Sequence, residues 1–160
     1  MDLDTQILKS GSVSLYLNTA ILEEDITWFN QNNYQIFRFD CLKWATVEAF
    51  HEDISNILKF PDYYGRNLDA LNDSLGDNQA FNSDKILLVF YSLQKFAREF
   101  PETAWQILDI IALNSRYFLV GGMKLLLLIQ SDDPSLYFEP VGATSVLWNR
   151  KEWLNKNRGL

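Results

Sequence analysis

Two short, almost wholly apolar runs in the second half of the chain restrict its fold most strongly. "KILLVFY" spans Lys85 to Tyr91, and "MKLLLLIQS" spans Met123 to Ser131. Each has the length of a buried strand, although a leucine run of the second kind is ambiguous between strand and helix. The intervening "FPETAWQILDIIALNS" has a proline and an acid at its start and apolar residues at helical spacing. A strand, helix, strand unit of this kind favours an α/β layer with parallel pairing.

Similar patterns extend this alternation toward the N-terminus. Residues 12–17, "SVSLYL", alternate polar and apolar side chains like an exposed strand, residues 20–30 are typical of a helix, and residues 35–39 of a second strand. A further helix precedes Pro61. We therefore predict an α/β fold with at least a three-stranded parallel sheet packed against helices. Residues 1–160 should form a single domain.

Charge and cysteine content exclude several classes of protein. The formal net charge is -7, whereas direct binding of nucleic acid needs clustered cations. This charge favours a basic partner, although mild acidity also serves solubility alone. One cysteine and one histidine preclude a disulfide framework or a Cys-rich metal site, which favours the cytoplasm. There is no signal-peptide pattern, and the most apolar stretch, residues 118–129, is short and contains Lys124, so we expect no membrane span and no cofactor.

The stretch "PDYYGRNLDALNDSL" carries the most specific pattern in the chain. At about 100° per residue, Leu68, Leu71 and Leu75 fall on one side of a helix. Asp69 and Asp73 lie roughly opposite, one turn apart, where like charges oppose each other by roughly a few tenths of a kcal/mol. An interaction outside the isolated helix must outweigh that repulsion.

The turn before this helix is expected to be rigid. Pro61 fixes one backbone angle, and Gly65 permits a backbone conformation that other residues resist. Tyr63 and Tyr64 are then presented at a fixed corner beside the acids, and tyrosine is frequent among residues that dominate protein interfaces. A plainer interpretation places one tyrosine in the core and leaves the aspartates on a solvated helix face. Spacing alone does not decide between the two.

The slightly longer stretch "FPDYYGRNLDALNDSL" resembles the signature of the barstar family, the intracellular inhibitors of the secreted ribonuclease barnase. That signature runs proline, acid, Tyr-Tyr-Gly, any residue, Asn-Leu-Asp-Ala-Leu, any residue, Asp. The flanking order of strands and helices is similar too, so the resemblance covers roughly residues 34–131. Residues 1–33 are then an N-terminal strand-helix elaboration, and residues 132–160 a C-terminal extension.

The resemblance implies three parallel strands packed against helices, with the motif helix and its preceding turn filling a nuclease active site in a 1:1 complex. The implied partner-binding positions are Tyr63, Gly65, Asn67, Leu68, Asp69, Asn72 and Asp73. Among them, Tyr63 matches the family's contact tyrosine, and Asp69 and Asp73 match the two helix acids that meet the enzyme's basic groups. An acidic helix of this kind occupies a cationic site as a phosphate mimic.

Two positions depart from the family pattern. Asn72 stands where the family often has tryptophan, and Ser74 where it often has cysteine, so an aromatic contact is missing. The family completes its inhibitory face with an acid on a later helix, for which Asp109 is the nearest candidate. We therefore expect the partner to be a basic ribonuclease or toxin, without specifying barnase.

Catalysis is one competing function. Carboxylate pairs in enzymes straddle a cleft and have different environments, whereas Asp69 and Asp73 share one helix face. The sequence also lacks nucleophile, phosphate-loop and metal motifs, so we expect no enzymatic activity. We expect His51 to lie on a helix surface and Cys41 to be a small buried hydrophobe.

A non-inhibitory interaction module is the other competing function, because the C-terminal extension has aromatic and basic residues that could supply a separate surface. These residues are Trp148, Arg150, Lys151, Trp153 and Lys156. Within the extension "SVLWN" is compatible with a strand and "RKEWLNKN" with a basic amphipathic helix. The plainer interpretation is that both tryptophans pack the extension onto the domain. We favour a cytoplasmic barstar-like inhibitor that protects its host cell from a ribonuclease toxin.

Overall fold

The computed structural model describes residues 1–77 and 81–154, which fold around a parallel sheet of five strands. The helices are α1 (Leu3–Lys9), α2 (Thr19–Gln31), α3 (Val47–Ile57), α4 (Leu68–Gly76), α5 (Gln94–Glu99) and α6 (Pro101–Val120), with short 3-10 helices at Cys41–Lys43 and Arg150–Leu154. The strands are β1 (Val13–Tyr16), β2 (Gln35–Asp40), β3 (Lys85–Tyr91), β4 (Lys124–Gln130) and β5 (Leu147–Trp148). Their order across the sheet is β2-β3-β4-β1-β5, and every pairing is parallel.

The apolar runs of β3 and β4 form the centre of the sheet. Residues 86–90 and 125–129 are all 0% exposed, as expected for parallel strands that helices cover on both faces. Because side chains alternate along a strand, Leu88 enters one core and its neighbours Leu87 and Val89 enter the other. Both faces of β3 and β4 are thus buried, which explains why their sequences are unbroken runs of apolar residues.

The larger core lies under α3, α4, α5 and α6. Trp44 occupies its middle, with ring centroids 4.9 Å from Phe50, 5.0 Å from Phe90 and 5.4 Å from Phe96, all in edge-to-face geometry. Such aromatic pairs contribute about 0.5–1.5 kcal/mol beyond the burial of their area. This packing holds α3 and the turn after it in a fixed position relative to the sheet.

The opposite face of the sheet is covered by α1 and α2. From α2, Leu22, Ile26 and Phe29 pack against alternate side chains of β3 and β4, and Ile7 of α1 joins them. Phe29 is fully buried and meets Tyr34 edge to face at 4.8 Å. The N-terminal segment thus supplies half of the cover of the central sheet.

The predicted α/β fold with a parallel sheet is confirmed, and β2, β3 and β4 are the three adjacent strands that the family resemblance implies. The sheet is wider than predicted, since β1 pairs with β4 and β5 pairs with β1. The prediction that residues 12–17 form an exposed strand is wrong, because all four residues of β1 are buried. Strands on both sides and helices on both faces explain that burial, which the Ser-apolar alternation does not reveal.

Two helices were not predicted. α1 has seven residues and α5 has six, so neither repeats its apolar positions often enough for a periodicity to be recognised. α5 contributes Phe96 and Ala97 to the larger core, directly before the proline that begins α6.

Candidate functional site

Helix α4 has a defined start that orients its side chains. Asn67 is the N-cap residue, and its side-chain oxygen accepts a hydrogen bond of 2.8 Å from the amide of Ala70. A cap of this type stabilises a helix by about 1 kcal/mol. Leu71 and Leu75 are fully buried, and Leu68 is half-buried against the larger core. The predicted apolar side of this helix is therefore confirmed.

The two aspartates of α4 lie on its solvent side. Asp69, Asn72 and Asp73 are all exposed. Neither carboxylate forms a hydrogen bond or ion pair with another described residue, since the ion pairs found within residues 1–77 and 81–154 lie elsewhere, at Arg98–Asp133, Lys124–Asp4 and Lys151–Asp25. Both carboxylates are therefore open to an external cation.

The positions of the two acids differ in their effect on the helix. Asp69 lies in the first turn, where the unpaired amides and the helix dipole favour a negative charge by about 0.3–1 kcal/mol. Asp73 lies one turn later, so it gains little from the dipole and repels Asp69. Asp73 therefore has no stabilising role within the described residues.

The two tyrosines of the preceding turn have different environments. Tyr63 is 81% exposed, whereas Tyr64 is half-buried and its ring packs 5.0 Å from Phe60. The Tyr64 hydroxyl lies 2.6 Å from Nδ1 of His51, and the Tyr64 amide donates to the Pro61 carbonyl at 2.9 Å. Tyr64 therefore fixes the turn, and Tyr63 projects into solvent beside α4.

Gly65 does not adopt the backbone conformation that the sequence suggested. The residue with positive φ in this turn is Arg66, at 52°. A side chain at Gly65 would meet Asn67 Nδ2 at 3.2 Å and Ala70 Cβ at 3.5 Å, while its carbonyl accepts a hydrogen bond of 3.2 Å from Asn67 Nδ2. A side chain at Gly65 would therefore crowd the capping side chain of Asn67 by a few tenths of an ångström, and the glycine is not needed for a positive φ.

The prediction that His51 lies on a helix surface is wrong. Its exposed fraction is 2%, and its ring lies between Phe50, at 5.0 Å, and Tyr64, at 5.7 Å. Burial lowers the pKa of His51; the Glu48 carboxylate opposes this shift, and Arg66 reinforces it. Burial also raises the pKa of Tyr64 to about 12, so its hydroxyl keeps a proton that it can donate to the neutral imidazole ring. Cys41 is buried, as predicted.

Stability should fall when the pH is lowered through the titration of His51. The unfolded chain binds a proton near the ordinary pKa of 6.5, whereas the native ring resists protonation because it is buried. The unfolded state then holds more protons, so the free energy of unfolding decreases as the pH drops below that value. We expect this slope between about pH 7.5 and 5.5 in urea titrations, above the range where most carboxylates titrate.

His51→Gln is the matched variant for this measurement, because His51 is the only histidine in the chain. It should be less stable at pH 7, by about 1–2 kcal/mol, through the lost contact with Tyr64, and its stability should be nearly independent of pH over the same interval. An unchanged slope in His51→Gln would contradict the assignment.

Asp109 is not brought to the side of α6 that faces α4. Asn114 marks that side, since its Nδ2 donates to Asn72 Oδ1 at 2.9 Å. Asp109 precedes Asn114 by five residues, which places it about 140° around the helix axis. Its Oδ1 accepts a hydrogen bond of 2.8 Å from the Gly142 amide. The half-buried Asp109 therefore holds the C-terminal segment against α6.

Sequence reasoning missed the residues of α6 that border α4. Asn114 is 4% exposed and fixes the side chain of Asn72, while Tyr117, one turn later, is 76% exposed. Asn114 and Tyr117 are three residues apart, a spacing that indicates neighbouring positions on one side of a helix. It could not be used because the sequence does not indicate which side of α6 meets α4.

The C-terminal segment is bound to the N-terminal one by buried polar contacts. Lys151 Nζ lies 2.5 Å from Oδ1 of Asp25, whose exposed fraction is 1%. Glu152 is fully buried, and its Oε1 accepts hydrogen bonds of 3.0 Å from the amides of Leu17 and Asn18. Lys151 is therefore already engaged within the chain.

The C-terminal tryptophans and the predicted terminal helix lie close to the end of the described residues, at position 154. Trp148 packs against the larger core, as the plainer interpretation predicted. The predicted amphipathic helix is a 3-10 helix as far as Leu154, and the side chain of Trp153, together with Lys156, lies outside the described residues.

The described part of the chain has neither a candidate metal cluster nor a candidate membrane-spanning helix. Residues 1–77 and 81–154 contain no cluster of three or more His, Cys, Asp or Glu side chains that could hold a metal ion. In the same ranges, no helix combines the length and apolar character required to cross a bilayer.

Comparison with protein families identifies a match over most of the chain. The model of the family described as "Barstar (barnase inhibitor)" matches residues 34–130. This range contains α3, α4, the turn between them and all of β2, β3 and β4. The predicted core of residues 34–131 differs from it by one residue.

Two individual proteins are also similar to the chain. A Bacillus subtilis (strain 168) protein named "Putative ribonuclease inhibitor YrdF" is 62% identical over 32 residues, which are 20% of this chain and 35% of that protein. The match thus spans about a third of the length of this curated relative. A chain in "Structure of Drosophila ORC bound to AT-rich DNA and Cdc6" is 16% identical, with a TM-score of 0.48 over 98% of this chain and 57% of that one. A similarity this low does not establish a common fold.

Proposed function

The chain belongs to the barstar family, and from that premise we propose that it inhibits a ribonuclease by inserting the acidic side of α4 into the enzyme's active site. One observation carries the proposal: Asp69 and Asp73 are exposed and unpaired within the described residues, on a capped helix whose other side is buried. The alternative of a solvated helix face gives no reason for keeping Asp73 beside Asp69. A cationic partner gives that reason.

The mechanism follows from what a ribonuclease requires. An enzyme that holds RNA must be cationic where it contacts phosphate, and charge-assisted hydrogen bonds from arginine or lysine to a carboxylate are about twice as strong as neutral ones. Asp69 and Asp73 occupy the phosphate positions, and Tyr63 adds an exposed ring at the rim. RNA is then excluded because its binding site is filled.

The turn makes this surface rigid before the partner arrives. Tyr64 is tied to His51, and Asn67 caps α4 and also donates to the Gly65 carbonyl. A site that is already ordered loses less conformational freedom on binding, which favours high affinity. The proposed contact surface consists of Tyr63, Gly65, Asn67, Leu68, Asp69, Asn72 and Asp73. Asp109 is the weakest of the proposed positions because of its contact with Gly142.

Residual RNA cleavage tests the function directly. The chain is titrated into barnase and, separately, into any ribonuclease encoded by the neighbouring open reading frame. We expect cleavage by at least one of them to fall to zero at one equivalent of the chain, and the chain alone to cleave no RNA. Failure to inhibit either enzyme would contradict the proposal, and turnover by the chain alone would favour an enzyme. In its host, the inhibitor is proposed to act in the cytoplasm against a ribonuclease toxin.

Association should depend strongly on salt. With a net charge of -7 and a cationic partner, long-range attraction accelerates the encounter, and counter-ions screen it. Raising the salt from about 0.05 M to 0.5 M should slow association roughly 10- to 100-fold and change dissociation little. Stopped-flow fluorescence measures both rates.

The double variant Asp69→Asn, Asp73→Asn serves as the control for this salt dependence. It should have a shallower salt slope than the unmodified chain, since the two charges closest to the enzyme are removed. An association rate that is independent of salt would indicate that the acidic side of α4 is not what the enzyme meets.

A further inference from the structure

A stripe of apolar side chains on α6 is exposed beside the acidic helix. It consists of Leu113, Tyr117 and Val120, which are 39%, 76% and 91% exposed. Spacings of four and three residues place all three on one side of the helix. Most other apolar residues of α6 point inward, including Ile107, Leu108, Ile111 and Phe118, so this stripe is separate from the side that packs on the sheet.

The stripe approaches α4 at Tyr117. Asn114, on the α4 side of α6, bonds to Asn72 and lies next to Gly76, where an added Cβ would be 3.5 Å from Asn114 Oδ1. Tyr117 lies about 60° around the helix axis from Asn114, Leu113 about 100° and Val120 about 120°. Tyr117 and the acidic side of α4 thus form adjoining parts of one surface, which Leu113 and Val120 continue farther around α6.

Folding does not explain the stripe. Burying apolar side chains is favourable, yet against the described residues Tyr117 and Val120 remain mostly solvated and Leu113 is only partly covered. The acidic side of α4 itself offers little apolar area, because Asn72 is polar and Asp69 and Asp73 are charged. A ligand that bound only this helix would gain charge pairing and little apolar burial.

Resting on the proposed function, we infer that the stripe of Leu113, Tyr117 and Val120 is a second contact for the same ribonuclease, binding an apolar or aromatic rim next to the cationic active site. Tyr117 is its principal contact. Tyrosine combines a large ring with few rotamers, so it is enriched among the residues that dominate binding energy. The charges of α4 would then accelerate the encounter, and the stripe would slow dissociation.

A second copy of this chain is a less suitable occupant. Stable interfaces bury about 800 Å² on each partner, which three side chains do not provide. Two copies would also bring the adjoining aspartates of both α4 helices together in a protein whose net charge is already -7. A cationic enzyme instead complements the charge next to the stripe.

The test compares exposed tyrosines in the inhibited complex. Once the unmodified chain has been found to inhibit barnase or the neighbouring ribonuclease, the dissociation rate is measured for Tyr117→Ala, Val120→Ala and the control Tyr137→Ala, which removes a tyrosine 68% exposed in the C-terminal segment. Tyr117→Ala should dissociate roughly tenfold faster or more, and Tyr137→Ala within about twofold of the unmodified chain. Tyr117→Phe should retain most of the affinity because it keeps the ring.

The other possible outcomes contradict either this inference or the proposed function itself. If Asp73→Ala loses inhibition while Tyr117→Ala and Val120→Ala bind like the unmodified chain, this inference is overturned and the proposed function stands. If the unmodified chain inhibits neither enzyme, the proposed function itself fails. If sedimentation shows a dimer that Tyr117→Asp dissociates, the stripe is a self-association surface and the inference is also overturned. Thermal unfolding of each variant verifies that an exposed position was changed without loss of the fold.

Discussion

Asp73→Ala is expected to weaken the complex with the ribonuclease by about 2–5 kcal/mol, or roughly 30- to 5,000-fold in dissociation constant. This range comes from truncations of buried charge pairs at protein interfaces, the barnase–barstar pair among them. The loss is large because the enzyme's cation would remain buried without its partner. Asp69→Ala should have a loss in the same range. Both are measured by competitive inhibition of RNA cleavage.

The free chain should respond to these two substitutions differently from the complex. Asp73→Ala removes a repulsion and adds a better helix former, so the unfolding free energy should stay unchanged or rise by about 0.5 kcal/mol. Asp69→Ala also removes the repulsion but loses the favourable charge in the first turn, so its stability should change less. Lost binding with an intact fold is the combination that identifies an interface residue.

Glu24→Ala is the matched control for net charge. Glu24 is exposed on α2, which covers the face of the sheet opposite to α4, and its removal changes the net charge by the same single unit. It should slow association slightly and leave dissociation unchanged, because only long-range attraction is affected. If Glu24→Ala weakened the complex as much as Asp73→Ala, total charge and not a local contact would govern binding.

The arrangement within α4 could be predicted from the sequence because it depends on local spacing. A helical period of 3.6 residues places Leu71 and Leu75 opposite Asp69 and Asp73 whatever surrounds the helix, and the observed burial agrees. The same holds for β3 and β4, whose apolar runs require cover on both faces. Patterns confined to one element are therefore the predictable part.

The contributions of separate elements to the candidate site could not be predicted. Whether Tyr63 or Tyr64 faces solvent depends on His51, which lies on another helix, and the burial of His51 depends on the packing of Phe50 against Trp44. Asp109 was assigned to the acidic surface from its residue type and helix. Its contact with Gly142 follows from the path of the C-terminal segment, for which the sequence offers no periodic signal.

Residues 34–131 expressed alone are expected not to fold cooperatively, although this range nearly coincides with the family match. Without α1, β1 and α2, the sheet would expose Leu87, Val89, Leu126 and Leu128, all of which are 0% exposed in the whole chain. At about 1.5–3 kcal/mol for each side chain, the loss is about 6–12 kcal/mol. This is comparable to the whole stability of a typical domain, about 5–15 kcal/mol.

Loss of the C-terminal extension adds to this effect. Glu152 accepts hydrogen bonds from the amides of Leu17 and Asn18, just before α2, and Lys151 neutralises the buried Asp25 of that helix. The two added segments thus stabilise each other as well as the sheet, and we propose that residues 1–160 fold as a single domain. Removing β1 would also leave β4 as an unpaired edge, which promotes aggregation.

Near-ultraviolet circular dichroism and thermal unfolding measure the outcome. The fragment should lack a sharp aromatic spectrum and a cooperative transition, while the whole chain has both. Phe29→Ala in the whole chain provides a graded comparison, since removing this fully buried ring should lower the unfolding free energy by about 3–5 kcal/mol without abolishing the transition. A fragment that melts cooperatively at the temperature of the whole chain would mean that the N-terminal cover is an accessory to an independent core. Inhibition by such a fragment would then place the whole of the function in residues 34–131.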